Sequence, residues 1–406
     1  MNDAAAVNAP PADTPSSNID LLDGDFYAGD PYPTYARLRA DAPVCWDEGN
    51  RLWGVSRHAD VVAIEKDPVR FCNSEGSRPG MSAQATTTSM IDRDDPRHNV
   101  QRRLVYKGFT PKRVSDHEAH VRGLVTSLID KVAPQGECDF VHDLAAPLPM
   151  IVIAEMLGAR PDDWPLLQEW SDKLVQLGGG PRYMNDERMA AVFAFYEYTT
   201  PILEARKGRP TDDLISILTH AEIDGSALSD DELLAESLLL LIGGNETSRN
   251  AMTGAMDLVS HHPDQWQLLR DDPTRLPVAV EEFLRHVTPI LNMVRTATVD
   301  VELHGETIRA RDKVLLMYSS ANRDETVFDD PERFDVTREH NPHVAFGFGT
   351  HFCLGASLAR MEIRVMYEEL LRRLPDIHVV PGHEVRWTPG AFVRGIDHLP
   401  VEFTRA

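Results

Sequence analysis

Phe346-Gly347-Phe348-Gly349-Thr350-His351-Phe352-Cys353-Leu354-Gly355 sets one cysteine among three glycines and runs into a helical pattern from Ala356. A lone cysteine ordinarily behaves as a small buried hydrophobe. Here the glycines let the backbone fold tightly round the sulfur and let a flat cofactor approach closely. The helix that follows brings its N-terminal amides towards the sulfur, which favours thiolate over thiol. Amides directed at a ligating sulfur also tune the metal it holds. Cys353 therefore reads as a metal ligand. The other cysteines, Cys45, Cys72 and Cys138, are far apart and form no CxxC pair, so neither a disulfide framework nor a structural zinc site is expected.

Upstream, Ser229 and Glu232 form a capping box, and Asp230 and Asp231 favour a helix start. The helical pattern then runs to His262, where Pro263 stops it. At ~1.5 Å per residue this helix would span roughly 50 Å. Its apolar middle, Leu238 to Ile242, demands burial, yet Gly243-Gly244-Asn245-Glu246-Thr247-Ser248 follows directly. Glycines and polar groups inside a buried helix are the local conflict that functional sites produce. Read alone, Glu246-Thr247 is a kink whose polar groups find partners.

The 406 residues are 42% hydrophobic and 26% charged, with a net charge of −23. That balance suits a soluble globular protein and argues against nucleic acid or an anionic membrane surface as partner. No signal peptide and no run of ~18 apolar residues is present, so a cytoplasmic protein without a membrane span is expected. Residues 1–18 read as a disordered tail, and 19–406 as one mainly α domain with a minor β portion. Segment 73–89 reads as a long functional loop, and Gly178 to Gly180 as a second entrance loop. Two further elements stand out. Glu282 and Arg285 lie one turn apart, a spacing usually found on solvated faces. Asp94-Asp95-Pro96 reads as a helix start that puts His98 and Arg102 on one face.

Together these features resemble the cytochrome P450 superfamily, whose signature Phe-x-x-Gly-x-His/Arg-x-Cys-x-Gly is matched at Phe346, Gly349, His351, Cys353 and Gly355. The resemblance runs from about Asp20 to Phe403. It implies the cytochrome P450 fold, with haem b buried between the long helix and the cysteine loop and Cys353 as axial ligand. It implies that His98, Arg102, Arg295 and His351 hold the haem propionates, and that Glu246 and Thr247 deliver protons to bound dioxygen. It also implies that Glu282 and Arg285 join Arg333 in a structural cluster. No GxGxxG fingerprint is present, so electrons must come from outside the chain. The family implies a ferredoxin and its NAD(P)H-ferredoxin reductase, and the basic run Arg102, Arg103, Lys107, Lys112, Arg113 is either their docking face or an ordinary solvated one.

Within the superfamily, Gly136 to Val141, Ile242 to Thr247 and Phe392 to Ile396 resemble the actinobacterial monooxygenases that oxidise the terminal methyl of cholesterol or cholest-4-en-3-one. A hydrophobic pocket is expected from Met90, Ile91, Leu240, Gly243, Gly244, Leu291 to Val294, Phe392 and Val393. Arg394 would add polarity if it faces that pocket. The leading expectation is a monomeric monooxygenase that hydroxylates a sterol. Terpenoids, fatty acids and aromatics stand as other substrates, and a haem-based sensor or a peroxygenase as other functions.

Overall fold

The computed structural model describes residues 19–81, 88–175, 177, 185–223 and 225–406. The expected tail at 1–18 and the loop at Gly178 to Gly180 lie outside the described residues, as does the centre of the 73–89 loop. The rest is mainly helical with a small β portion. The helix Asp230–His261 runs through the middle, and its capping box forms as the sequence predicts. The Ser229 hydroxyl accepts from the Glu232 amide at 3.3 Å, while the Glu232 carboxylate accepts from the Ser229 amide at 3.0 Å. Its C-terminal cap is His262.

This helix packs against helices Pro147–Met156, Trp164–Val175, Leu276–Val287 and Ala356–Arg373. Leu241, Ala251, Met252, Ala255 and Met256 on it are fully or almost fully buried and join the largest of three apolar clusters. Gly243 and Gly244 do not break the helix; they serve different needs on adjacent faces. A Cβ on Gly244 would lie 3.0 Å from Ile153, so the bare backbone lets helix Pro147–Met156 approach closely. A Cβ on Gly243 would meet nothing within 4 Å, because that face opens into the central cavity.

Beside the helices lies a five-stranded sheet ordered Val44–Asp47, Leu52–Val55, Lys313–Met317, Asn292–Ala297, Phe71–Cys72. Lys313–Met317 runs parallel to Leu52–Val55 and antiparallel to Asn292–Ala297, pairing Leu316 with Met293 and Val314 with Arg295. Side chains alternate along Asn292–Ala297. Met293 and Arg295 face the cavity, whereas Val294 enters an apolar cluster with Leu21, Tyr27 and Tyr35. The helix Arg97–Tyr106 departs from expectation at its start: no side chain caps it, since Asp94 accepts instead from the Asn73 amide at 2.7 Å. Among the described residues no helix is long and apolar enough to cross a membrane.

The two glycines should respond oppositely to the same added methyl. Gly244→Ala is expected to cost about 1–3 kcal/mol through overpacking on Ile153. Gly243→Ala is expected to be neutral or to gain up to about 1 kcal/mol of helix propensity. Urea midpoints of the two variants measure the difference, and equal midpoints would contradict the packing described.

Candidate functional site

The cysteine loop is held by its own backbone. The Cys353 amide donates to the Phe346 carbonyl at 2.9 Å, and a single 3-10 turn spans Gly349–His351. Gly347 and Gly349 have φ of +66° and +68°, the left-handed region that glycine adopts without strain. At Gly349 a second demand applies: a Cβ would lie 2.2 Å from the Glu65 carbonyl, at the end of helix His58–Glu65. Gly355 is different, with an ordinary φ of −85° and open space where its Cβ would be. The Arg360 guanidinium lies over the Phe346 ring, 4.5 Å from its centroid, and packs the loop onto the next helix.

Removal from water pushes the Cys353 thiol up. The amides of Gly355 and Ala356 oppose that, as do the guanidiniums of Arg102 and Arg360. Around the loop gather the four basic residues named from the sequence. His98 stacks on His351 with centroids 3.9 Å apart, and Arg102 donates to the Phe352 carbonyl. Arg295, fully buried, donates to the Glu65 carboxylate at 2.9 Å and to the Val294 carbonyl at 2.8 Å. Tyr318 donates to the same carboxylate. Burial, then Arg295, His98 and Arg102, push His351 down to about 2. Such crowding of cationic groups calls for anions. One buried carboxylate, Glu65, faces Arg295.

Cys353, Arg102, Arg295, His98 and His351 all line one cavity of about 310 Å³, along with Gly243, Gly244, Glu246 and Thr247 from the long helix. The donor set fits haem b: a sulfur with amides turned towards it, basic groups for two propionates, and an otherwise apolar slot. The Thr247 hydroxyl donates to the Gly243 carbonyl at 3.0 Å. The buried Glu246 carboxyl is raised by burial against the opposing effect of Arg249. One of its oxygens accepts from Arg249 and from Asn250 at 3.1 Å. Arg249 in turn reaches Asp172 on helix Trp164–Val175 at 2.7 Å.

Comparison with known proteins agrees with this arrangement. The cytochrome P450 family model matches residues 185–389. A steroid C26-monooxygenase of Mycobacterium tuberculosis H37Rv is 47% identical over 395 residues, covering 96% of this chain and 98% of that protein. The chain belongs to the cytochrome P450 family. Among solved cytochrome P450 structures, one from Mycobacterium marinum in complex with pseudoionone is 34% identical with a TM-score of 0.89, covering 97% of this chain and 100% of that one. Another, from Bacillus megaterium in complex with testosterone, is 33% identical with a TM-score of 0.86, covering 93% and 98%. The chain is thus a haem monooxygenase, an oxidoreductase taking a hydrophobic substrate, dioxygen and electrons from a redox partner.

Most of the expected pocket residues line the cavity: Met90, Ile91, Leu240, Gly243, Gly244, Phe392 and Val393. Leu291 and Val294 do not. Both belong to the cluster under the N-terminal helices; of that expected stretch Met293 faces the cavity, and Pro289 and Ile290 complete the wall. Strand alternation requires this for Val294, because Arg295 points inward. Arg394 also faces away. It donates to Tyr32 Oη at 3.1 Å and stacks 4.0 Å over Trp387. Arg333 is not the third member of the structural cluster, since its side chain is 61% exposed and pairs loosely with Asp335. Arg338 takes that place, 3.3 Å from Glu282. Two cavity residues had no local sequence signal: Arg78, and Glu362, whose carboxyl burial pushes up to about 8.

Glu282 and Arg285 are wholly buried, so removing one strands the other. Arg285→Met is expected to cost at least about 3–5 kcal/mol. Expression and urea unfolding test this, and a stable variant would contradict the geometry.

Proposed function

We propose that this cytochrome P450 hydroxylates the terminal side-chain carbon of a sterol such as cholest-4-en-3-one. The observation that carries the reading is the apolar cavity ending at Cys353, walled by Met90, Ile91, Leu240, Met293, Phe392 and Val393. The 47% identity to a protein named for steroid C26 oxidation supplies the substrate class. In this reading the Cys353 thiolate would ligate the haem iron, and His98, Arg102, Arg295 and His351 would hold the propionates. Haem b, so held, supplies the activation of dioxygen.

The chain's own residues then do three things. The apolar walls exclude water and orient the side chain of the substrate. Thr247, one turn beyond Gly243, exchanges its bond to the Gly243 carbonyl for an ordered water in the cavity. Glu246, whose raised carboxyl retains a proton more readily than an ordinary glutamate, supplies it through that water. Arg249 holds Glu246 in place and ties it to Asp172, whose side chain is 46% exposed.

Electrons enter on the outer side of the cysteine loop. Phe348 and Phe352 are exposed there, Lys66 lies 4.9 Å over the Phe348 ring, and Arg103, Lys107 and Lys112 are exposed on neighbouring helices. In an acidic protein this patch suits an acidic ferredoxin, reduced in turn by an NAD(P)H-ferredoxin reductase.

Titrating the ferric protein with cholest-4-en-3-one should move the Soret band to shorter wavelength as the sterol displaces water. Reconstitution should then give the terminally hydroxylated product. No shift at saturating, solubilised sterol would overturn the sterol assignment and direct attention to terpenoids, given the pseudoionone-bound relative. Thr247→Ala should lower product formed per NADH by about tenfold or more, with peroxide released. Unchanged coupling would remove Thr247 and Glu246 from proton delivery. In Cys353→Ala the thiolate signature of the carbon monoxide complex should vanish, and its persistence would refute the ligand assignment.

A further inference from the structure

Basic side chains reach the cavity in two places. One is the basic cluster round the cysteine loop; the other is Arg78. Among the described residues, Arg78 is the one guanidinium that lines the cavity outside that cluster. It lines the cavity together with Ser89, Met90 and Ile91, and its side chain is 22% exposed.

Its setting is built. The Ser77 carbonyl accepts from the Val294 amide at 2.8 Å, which fixes the backbone against the central sheet. The Ser77 hydroxyl donates to Asp92 Oδ1 at 2.6 Å, and Arg78 Nη2 donates to Asp92 Oδ2 at 3.0 Å. Asp92 itself is wholly buried on the short turn Met90–Asp92, which the Met90 amide pins to Glu236 on the long helix at 2.6 Å. One edge of the guanidinium is therefore anchored. Nε is buried and has no hydrogen-bond partner among the described residues.

A guanidinium is donor-only, so the group it lacks is an acceptor oxygen. A sterol whose side-chain end is oxidised carries its own oxygen on the far end of the ring system, away from the iron and towards the solvent side of the cavity. A 3-ketone there is an acceptor without a donor, the complement of a guanidinium edge. We propose that Arg78 is a specificity-determining residue that binds the oxygen on the end of the substrate remote from the carbon oxidised. This deepens the sterol reading above and rests on it.

The test compares cholest-4-en-3-one with cholest-4-ene, the same skeleton without the oxygen, both solubilised in cyclodextrin. Dissociation constants come from Soret titrations of the native haem protein, Arg78→Leu and Arg78→Lys. The native protein should bind the ketone about tenfold or more tightly than the hydrocarbon, the discrimination a hydrogen bond to a charged group supplies. Arg78→Leu should lose that preference by weakening the ketone alone, and Arg78→Lys should retain part of it. Melting temperature and the carbon monoxide spectrum check that the variants fold. Equal native affinity for both ligands, or an Arg78→Leu variant that keeps the preference, overturns the proposal and leaves the sterol reading standing. A native protein that binds neither ligand overturns both.

Discussion

Behind the cysteine loop, one carboxylate and one guanidinium are wholly withdrawn from water, and the loop's position rests on them. Taking such a pair out of solvent is costly unless every remaining hydrogen-bonding position is filled. Here the guanidinium's positions are filled. Arg285 donates twice to Glu282 and to the carbonyls of Asn322, Pro331 and Arg333. Glu282 accepts in addition from the Asp335 amide, Asn341 and Arg338. The irregular chain from Asn322 to Asn341 thus has its polar backbone partly satisfied by a single helix turn. The cysteine loop begins where that stretch ends.

The cavity's far wall obeys a different constraint. The long helix has to present both a close-packed face and an open one at adjacent residues. Gly244 yields space to Ile153, and Gly243 yields it to the cavity. Polar groups follow within one turn. Thr247 and Glu246 find partners inside the helix, on Gly243 and on Arg249 and Asn250, and Asn245 donates to Ser171 on helix Trp164–Val175, so the break in hydrophobic pattern costs no break in backbone.

Features carried by local sequence were legible: the capping box at Ser229 and Glu232, the glycine-flanked Cys353, the Glu282–Arg285 turn and the His98–Arg102 face. Those depending on distant chain were not. Glu65 meets Arg295 across 230 positions, and no pattern near either foretells it. Arg338 replaced Arg333 because the irregular stretch turns the latter outwards, a matter of loop path. Val294 differs in kind, since the inward Arg295 itself implies an inward Met293 and an outward Val294, whereas Leu291 lies before the strand and its direction follows no alternation.

Arg394, stacked on Trp387 and bonded to Tyr32 and the Gly29 carbonyl, joins a late segment of the chain to an early one. That late segment carries Phe392 and Val393, and it is stitched to the central sheet edge through Leu291, Asn292 and Pro289. A ribosome delivers residue 32 long before residue 394. The substrate wall is therefore among the last parts of the molecule that can close, after the cysteine loop has emerged.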